Sequence, residues 1–229
     1  MYQALGATPP DYLAQPITGL EVRPSFVPQR AYIHPRVAGD KVRYFEWMGA
    51  AVYTADHRAG AMHGKQFLLD SVYAGIDATS LYGRLDFAGK VPLADFEIVV
   101  NVESWASSEA RPRRTLRVVA SANAGRIKEW RVENGVAEQV LASLAQPNEH
   151  VKVALLRNFE FKVPLIWLLT VPATGFERAA DKKAGALTPT GKLRLRFSLW
   201  QNRLPVDSLP LEGWIELEVV SEGELLFGA

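Results

Sequence analysis

Chemistry in this 229-residue chain has to come from few side chains, because it contains no cysteine and only four histidines. Without thiols there is no disulfide, no cysteine nucleophile, no Cys-ligated zinc and no iron–sulfur cluster. The histidines are His34, His57, His63 and His150. His57 and His63, with Asp56 and Asp70 nearby, could hold a mononuclear metal, but their spacing matches no ligand motif. They fall in Thr54–Gly64, a stretch with the composition of a strand-connecting loop. The plain reading is two loop histidines and no metal site. Met48 and Met62 with His63 could serve as axial haem ligands, yet methionine is a common core filler, and no cofactor is expected. Neither Gly-x-x-x-x-Gly-Lys-Ser/Thr nor Gly-x-Ser-x-Gly occurs, and Ser71, Ser80 and Ser208 have no partner histidine that spacing would supply. Nucleotide and serine-hydrolase chemistry are set aside.

Two further sets of residues could act on a sugar. Glu46, Asp70, Asp77 and Asp86 fall on or beside neighbouring strands, where two opposed carboxyls could form a glycosidase pair. The alternative is structural: Asp77 and Asp86 cap turns and pair with Arg84 or Arg43. The tryptophans give the second set. Ile215, Leu217 and Val219 form an inner face, which puts Trp214 outside with Glu216 and Glu218; Trp130, alternating with Lys128, has a similar pattern. An outward indole among acceptors suits the C–H face and hydroxyls of a sugar, although a sheet-edge or subunit-packing role fits as well. Trp47 and Trp200 are assigned to the core or its rim. Nucleic acid and anionic membranes have no support, since 26 Lys and Arg against 25 Asp and Glu leave a net charge of +1. The basic clusters Arg111-Pro-Arg-Arg114 and Lys182-Lys183 fall at turns.

The elements that must position these residues are strands. With 48% hydrophobic and 22% charged residues the chain can bury a full core as a soluble globular domain. Pro9, Pro10, Pro16, Pro24 and Pro28 block regular structure in residues 1–30, predicting an irregular arm. From Lys41 onward period two takes over. Strands are expected at Lys41–Tyr53, Phe67–Gly75, Leu81–Phe87 and Phe96–Glu103. A meander follows over Arg114–Ser121, Arg126–Val132 and Val136–Leu141, with turns at Asn123-Ala-Gly125 and Asn134-Gly135. Val151–Leu155, Phe159–Val163 and Lys192–Leu199 complete the set, the last paired with Trp214–Val219. Helical candidates are poor: Ala137–Ala145 for two turns and Pro164–Leu169 for one. Residues 173–191 have the composition of a long mobile loop. About ten strands with turn punctuation predict an all-β, two-sheet antiparallel β-sandwich, a single domain over 31–229. The longest apolar run, Val163–Val171, is half of the roughly 20 residues a bilayer span needs. No basic-then-apolar leader opens the chain, so a cytoplasmic location is expected.

Several segments together carry a family resemblance: Tyr44-Phe-Glu-Trp-Met-Gly-Ala-Ala51, Ala61-Met-His63, Tyr82-Gly-Arg-Leu-Asp-Phe87, Arg157-Asn-Phe-Glu-Phe-Lys-Val-Pro-Leu165, and Leu199-Trp-Gln201 through Leu209-Pro-Leu-Glu-Gly-Trp214. The pattern resembles the C-terminal accessory region that follows the catalytic domain in glycoside hydrolase family 57, a sandwich similar to DOMON-like and glucodextranase C-terminal modules. It covers nearly the whole chain, and the arm resembles the connector from the catalytic domain. The resemblance implies a non-catalytic module that binds α-glucan, packs on a glycoside hydrolase catalytic domain, or both. Trp214, Trp130, Tyr82 and Arg84 become the expected sugar contacts, and Glu46, Trp47 and His63 the expected interdomain or ligand residues. The family's catalytic barrel, with its glutamate nucleophile and aspartate acid/base, has no room here, so no catalytic residue carries over. Two alternatives stand beside this: a self-sufficient hydrolase using Glu46, Asp70 or Asp86, and a DOMON-like domain binding haem or another small ligand.

Overall fold

The computed structural model describes residues 26–40, 43, 45–55, 67–106, 112, 114–135, 139–169 and 191–227. Among them run β1 (Phe26–Val27), β2 (Ala51–Thr54), β3 (Leu69–Ile76), β4 (Ser80–Phe87), β5 (Phe96–Ala106), β6 (Arg114–Asn123) and β7 (Arg126–Asn134). β8 (Val140–Ser143), β9 (Lys152–Leu155), β10 (Asn158–Pro164), α1 (Ile166–Leu169), β11 (Gly191–Gln201), β12 (Leu204–Leu209), β13 (Ile215–Val219) and α2 (Glu222–Phe227) follow. Two sheets form, ordered β1-β2-β3-β4-β10-β9 and β12-β11-β5-β6-β7-β8, with β13 also on β11. Their strand pairings are antiparallel. The protein is an all-β sandwich.

Alternation along the strands builds the core. Val72, Ala74 and Ile76 of β3, Leu81 and Leu85 of β4, and Phe159, Phe161 and Val163 of β10 are buried in one cluster with Ile98, Val100 and Val102 of β5 and Leu193, Leu195, Phe197 and Leu199 of β11. Phe161 and Phe197 bring the two sheets together, with ring centroids 6.2 Å apart. Gly83 makes this possible: it pairs with Phe161 in register, and a Cβ at Gly83 would collide with the Phe161 ring.

The expected turn at Ala124-Gly125 is a two-residue hairpin in which both residues have positive φ, 51° and 72°, the conformation whose twist matches flanking strands. Lys192–Leu199 pairs with the strand expected for it, and the structure adds a feature. β12 and β13 run in the same direction along one edge of β11, β12 beside Phe197–Gln201 and β13 beside Gly191–Leu195. They are one long strand interrupted at 210–214, and Trp214 is the last residue of the interruption.

Four expectations need correction. Lys41–Tyr53 is not one strand: among its described residues, 45–49 form a turn closed by Trp47 C=O accepting from Ala50 N–H at 3.2 Å, and only Ala51–Thr54 is extended. The Asn134-Gly135 hairpin is a longer connection, because Asn134 N–H donates to Gln139 C=O at 2.9 Å and β8 starts at Val140. Gly135 serves close packing there, since a Cβ would strike the Thr115 side chain. In the helical candidate Ala137–Ala145, Val140–Ser143 is strand, whereas Pro164–Leu169 does wind a turn, α1. Finally, residues 26–27 of the segment expected as an irregular arm pair with β2 and form an edge of the first sheet. Residues 1–25 and 170–190, which hold most of the arm and most of the expected mobile loop, lie outside the described residues.

Candidate functional site

The outer face of the first sheet gathers Tyr73, Arg84 and Glu160 in one row and Tyr82 and Lys162 in the next, by the β3–β4–β10 register. The chain itself covers this face. Trp47, delivered by the 45–49 turn, packs edge-on against Tyr73 with centroids 6.1 Å apart and is only 5% exposed. The Arg84 guanidinium lies 4.5 Å from the Tyr73 ring centroid and 6.0 Å from that of Trp47. It also grips Asp86 with both arms, Nε to Oδ1 at 2.7 Å and Nη2 to Oδ2 at 2.6 Å. Burial pushes the Asp86 carboxyl up, Arg84 pulls it down and the charge of Asp70 pushes it up again, with a net rise. Nearby, Glu160, 2% exposed, accepts from the Ala38 and Gly39 N–H groups, both at 2.8 Å, and from Asn158 Nδ2 at 3.2 Å. A buried carboxylate with three donors fixes the 36–40 segment to the sheet.

Asp77 organises the end of the same sheet. Its Oδ1 accepts from the Thr79 and Ser80 N–H groups at 2.7 Å and from the Thr79 hydroxyl at 3.0 Å. Its Oδ2 accepts from the Tyr82 hydroxyl at 2.7 Å and lies 3.4 Å from His34 Nδ1. Burial alone would push this carboxyl up, but the donors from Thr79, Tyr82 and Ser80 outweigh it and hold it below the usual range. Tyr82 responds in the opposite sense, its hydroxyl pushed up by burial and by the bond and charge of Asp77. Beside this node opens a cavity of about 710 Å³, whose lining includes Asp77, Thr79, Lys162, Leu165, Leu169 and Val219.

The second sheet presents a different outer face. Charged and amide side chains stand in rows across β5, β6, β7, β11 and β13. Arg194 bonds Glu216 through Nε at 2.9 Å, and Arg117 and Arg131 both meet Glu133, at 3.4 and 3.3 Å. Two half-buried tryptophans bracket the rows. Trp105 donates from Nε1 to Glu103 at 2.9 Å, with the Arg194 guanidinium 4.7 Å from its ring centroid. Trp200 donates from Nε1 to Ser198 at 2.9 Å. In register Trp105 stands opposite Lys192 and Trp200 opposite Glu97, so at about 3.3 Å per residue the two indoles are roughly 26 Å apart along the strand.

The expected site residues therefore scatter. Trp130 is corrected: it is 7% exposed and belongs to the core cluster, because β7 turns it inward with Val132. Tyr82 and Arg84 do come together with Trp47, but beneath the chain's own Ile33, Trp47 and Ala50, so they present no open platform. The interdomain surface expected of Trp47 is corrected for the same reason, while Glu46 beside it is half-buried in the turn. Trp214 is half-buried, between exposed Gly213 and buried Ile215. His63, His57 and Met62 lie outside the described residues, and Met48 is an exposed turn residue, 59% accessible. Among the described residues no three His, Asp or Glu side chains gather as metal ligands. No described helix is long and apolar enough to cross a membrane. Asp77 and Asp86 do cap a turn and pair with Arg84. Trp105 is not among the expected residues although alternation through Glu97, Asn101 and Glu103 leads to it, and Trp200, expected at the core or its rim, is half-buried on the outer face after Lys192, Arg194, Arg196 and Ser198.

The fold and its two faces define a two-sheet antiparallel β-sandwich in which, among the described residues, one outer face is covered by the chain and the other is not. Comparison with protein-family models, with curated proteins and with solved structures returned no match.

Proposed function

We propose that the protein is a non-catalytic accessory module that binds an α-glucan through the outer face of its second sheet and works beside the catalytic domain of a family 57 glycoside hydrolase. One observation carries the binding part. Trp105 and Trp200 stand half-buried at the two ends of a sheet face whose Arg and Glu side chains already hold one another in place. Aromatic rings offer a stacking surface for sugar C–H faces, and side chains fixed before binding lose little entropy on meeting hydroxyls. Trp214, at the break between β12 and β13 beside the same rows, extends that surface. The partner domain and the α-glucan class rest on the resemblance of the Glu46-Trp47, Arg84-Leu-Asp86 and Pro210–Trp214 segments to the family's accessory region. Tethering such a module to an enzyme raises the local concentration of substrate without new catalytic groups.

The hydrolase alternative finds two of its three carboxylates engaged: Asp86 is held by Arg84, and Asp70 accepts from the Ser71 hydroxyl at 2.6 Å. Electrophoresis through gels containing soluble starch, glycogen or pullulan tests the proposal. The native chain should be retarded, Trp105→Ala and Trp200→Ala should each migrate freely, and no reducing sugar should be released. Unretarded migration in all three glucans would overturn the binding reading, and sugar release abolished by Asp86→Asn would overturn the non-catalytic one.

A further inference from the structure

We propose that the cavity at the end of the first sheet is a second binding site, for an amphiphilic monocarboxylate whose head group meets Lys162 and whose apolar body lies against Pro164, Leu165, Ile166 and Leu169. At about 710 Å³ the space is the size of a small-molecule site, and its walls divide by chemistry. α1, the end of β10 and Val219 and Val220 supply apolar surface, and Lys162 and His150 supply basic groups.

The balance of satisfied and unsatisfied charge argues for an anionic head. Both carboxylates of the lining are already engaged within the protein. Asp77 accepts from Thr79, Ser80 and Tyr82. Glu224 turns back onto Ser221 at the start of α2, accepting from its N–H at 2.8 Å and its hydroxyl at 2.7 Å. The lysines are in the opposite condition. Lys162 of β10 stands directly opposite Lys152 of β9, so both project from the same face of the sheet. Like charges directly opposite on paired strands repel, and among the described residues neither ammonium has a carboxylate within ion-pair reach. Lys162 has only the face of the Tyr82 ring, 5.7 Å from Nζ to the centroid, which attracts a cation but leaves its N–H donors free. A carboxylate at Lys162 would relieve the repulsion with Lys152 and use those donors, and an alkyl or aryl body would cover the apolar wall.

Calorimetric titration with octanoate and with octanamide, equal in chain and differing in charge, tests this. Octanoate should bind at least about tenfold more tightly than octanamide. Lys162→Gln should weaken octanoate by about tenfold and leave octanamide unchanged. Ala78→Trp, at an exposed position on the cavity rim, should abolish both. Lys152→Gln, on the more exposed edge strand, gives a second charge variant should Lys162→Gln unfold. Trp105→Ala should bind octanoate like the native chain, so the outcome stands apart from the glucan reading. Absence of octanoate binding, equal affinity for the two ligands, or indifference to both lysine changes would overturn the proposal.

Discussion

The two outer faces of this sandwich carry similar residues and do opposite things. On the first sheet Tyr73, Tyr82, Arg84 and Glu160 lie beneath Ile33, Val37–Gly39, Trp47 and Ala50, where Trp47 closes the cluster and Glu160 fastens two backbone N–H groups. On the second sheet Trp105, Arg194, Glu216 and Trp200 form comparable contacts but stay in reach of solvent. An arginine stacked on an aromatic ring occurs on both. What differs, among the described residues, is the segment on top: Trp47 and its turn lie over the first face, and no described segment lies over the second.

Substitutions sharpen that contrast. The largest effect is expected at Trp47→Ala, which empties the covering cluster and should cost about 3–5 kcal/mol in urea unfolding, exposing Tyr73 and Arg84. Gly83→Ala, which forces a Cβ into the Phe161 ring, should cost about 1–3 kcal/mol by overpacking. Asp77→Asn should cost about 1–2 kcal/mol by weakening bonds to an ionised acceptor, with a definite pH signature. The folded Asp77 carboxyl lies below its ordinary 3.8, so its contribution is complete above about pH 5 and is lost as pH falls through 3.8 toward the lower folded value. The unfolding midpoint of the native chain should therefore drop toward that of Asp77→Asn as pH is lowered from 5 to 2. Smallest in stability are Trp105→Ala and Trp200→Ala, below about 1 kcal/mol each on a half-exposed face, yet these two should abolish retardation by glucan, which Asp77→Asn should leave intact.

Most of the fold was legible because alternation is a local signal. Phe96–Glu103, Lys192–Leu199 and the Ala124-Gly125 turn announce themselves in a few residues. The site was less legible because coverage is a long-range property. Period two says that Arg84 points away from the core, but not that Trp47, far earlier in the chain, will lie over it. Trp130 was misjudged for a related reason. Burial at Val132 and Trp130 and exposure at Lys128 and Glu129 follow the register slip that β6 and β7 make between Ser121 and Ala122, and no window of sequence shows a bulge of that kind. Trp105 and Trp200, by contrast, were within reach: each continues an alternation already counted by two more residues.

The six indole N–H resonances provide the most direct measurement. Titrating the protein with maltoheptaose and following Trp47, Trp105, Trp130, Trp167, Trp200 and Trp214 in a proton–nitrogen correlation spectrum reads both faces at once. Saturable shifts are expected at Trp105 and Trp200, a smaller one at Trp214, and none at Trp47 or Trp130. Shifts at Trp47 with Trp105 and Trp200 unmoved, or no shift at any indole, would contradict that expectation.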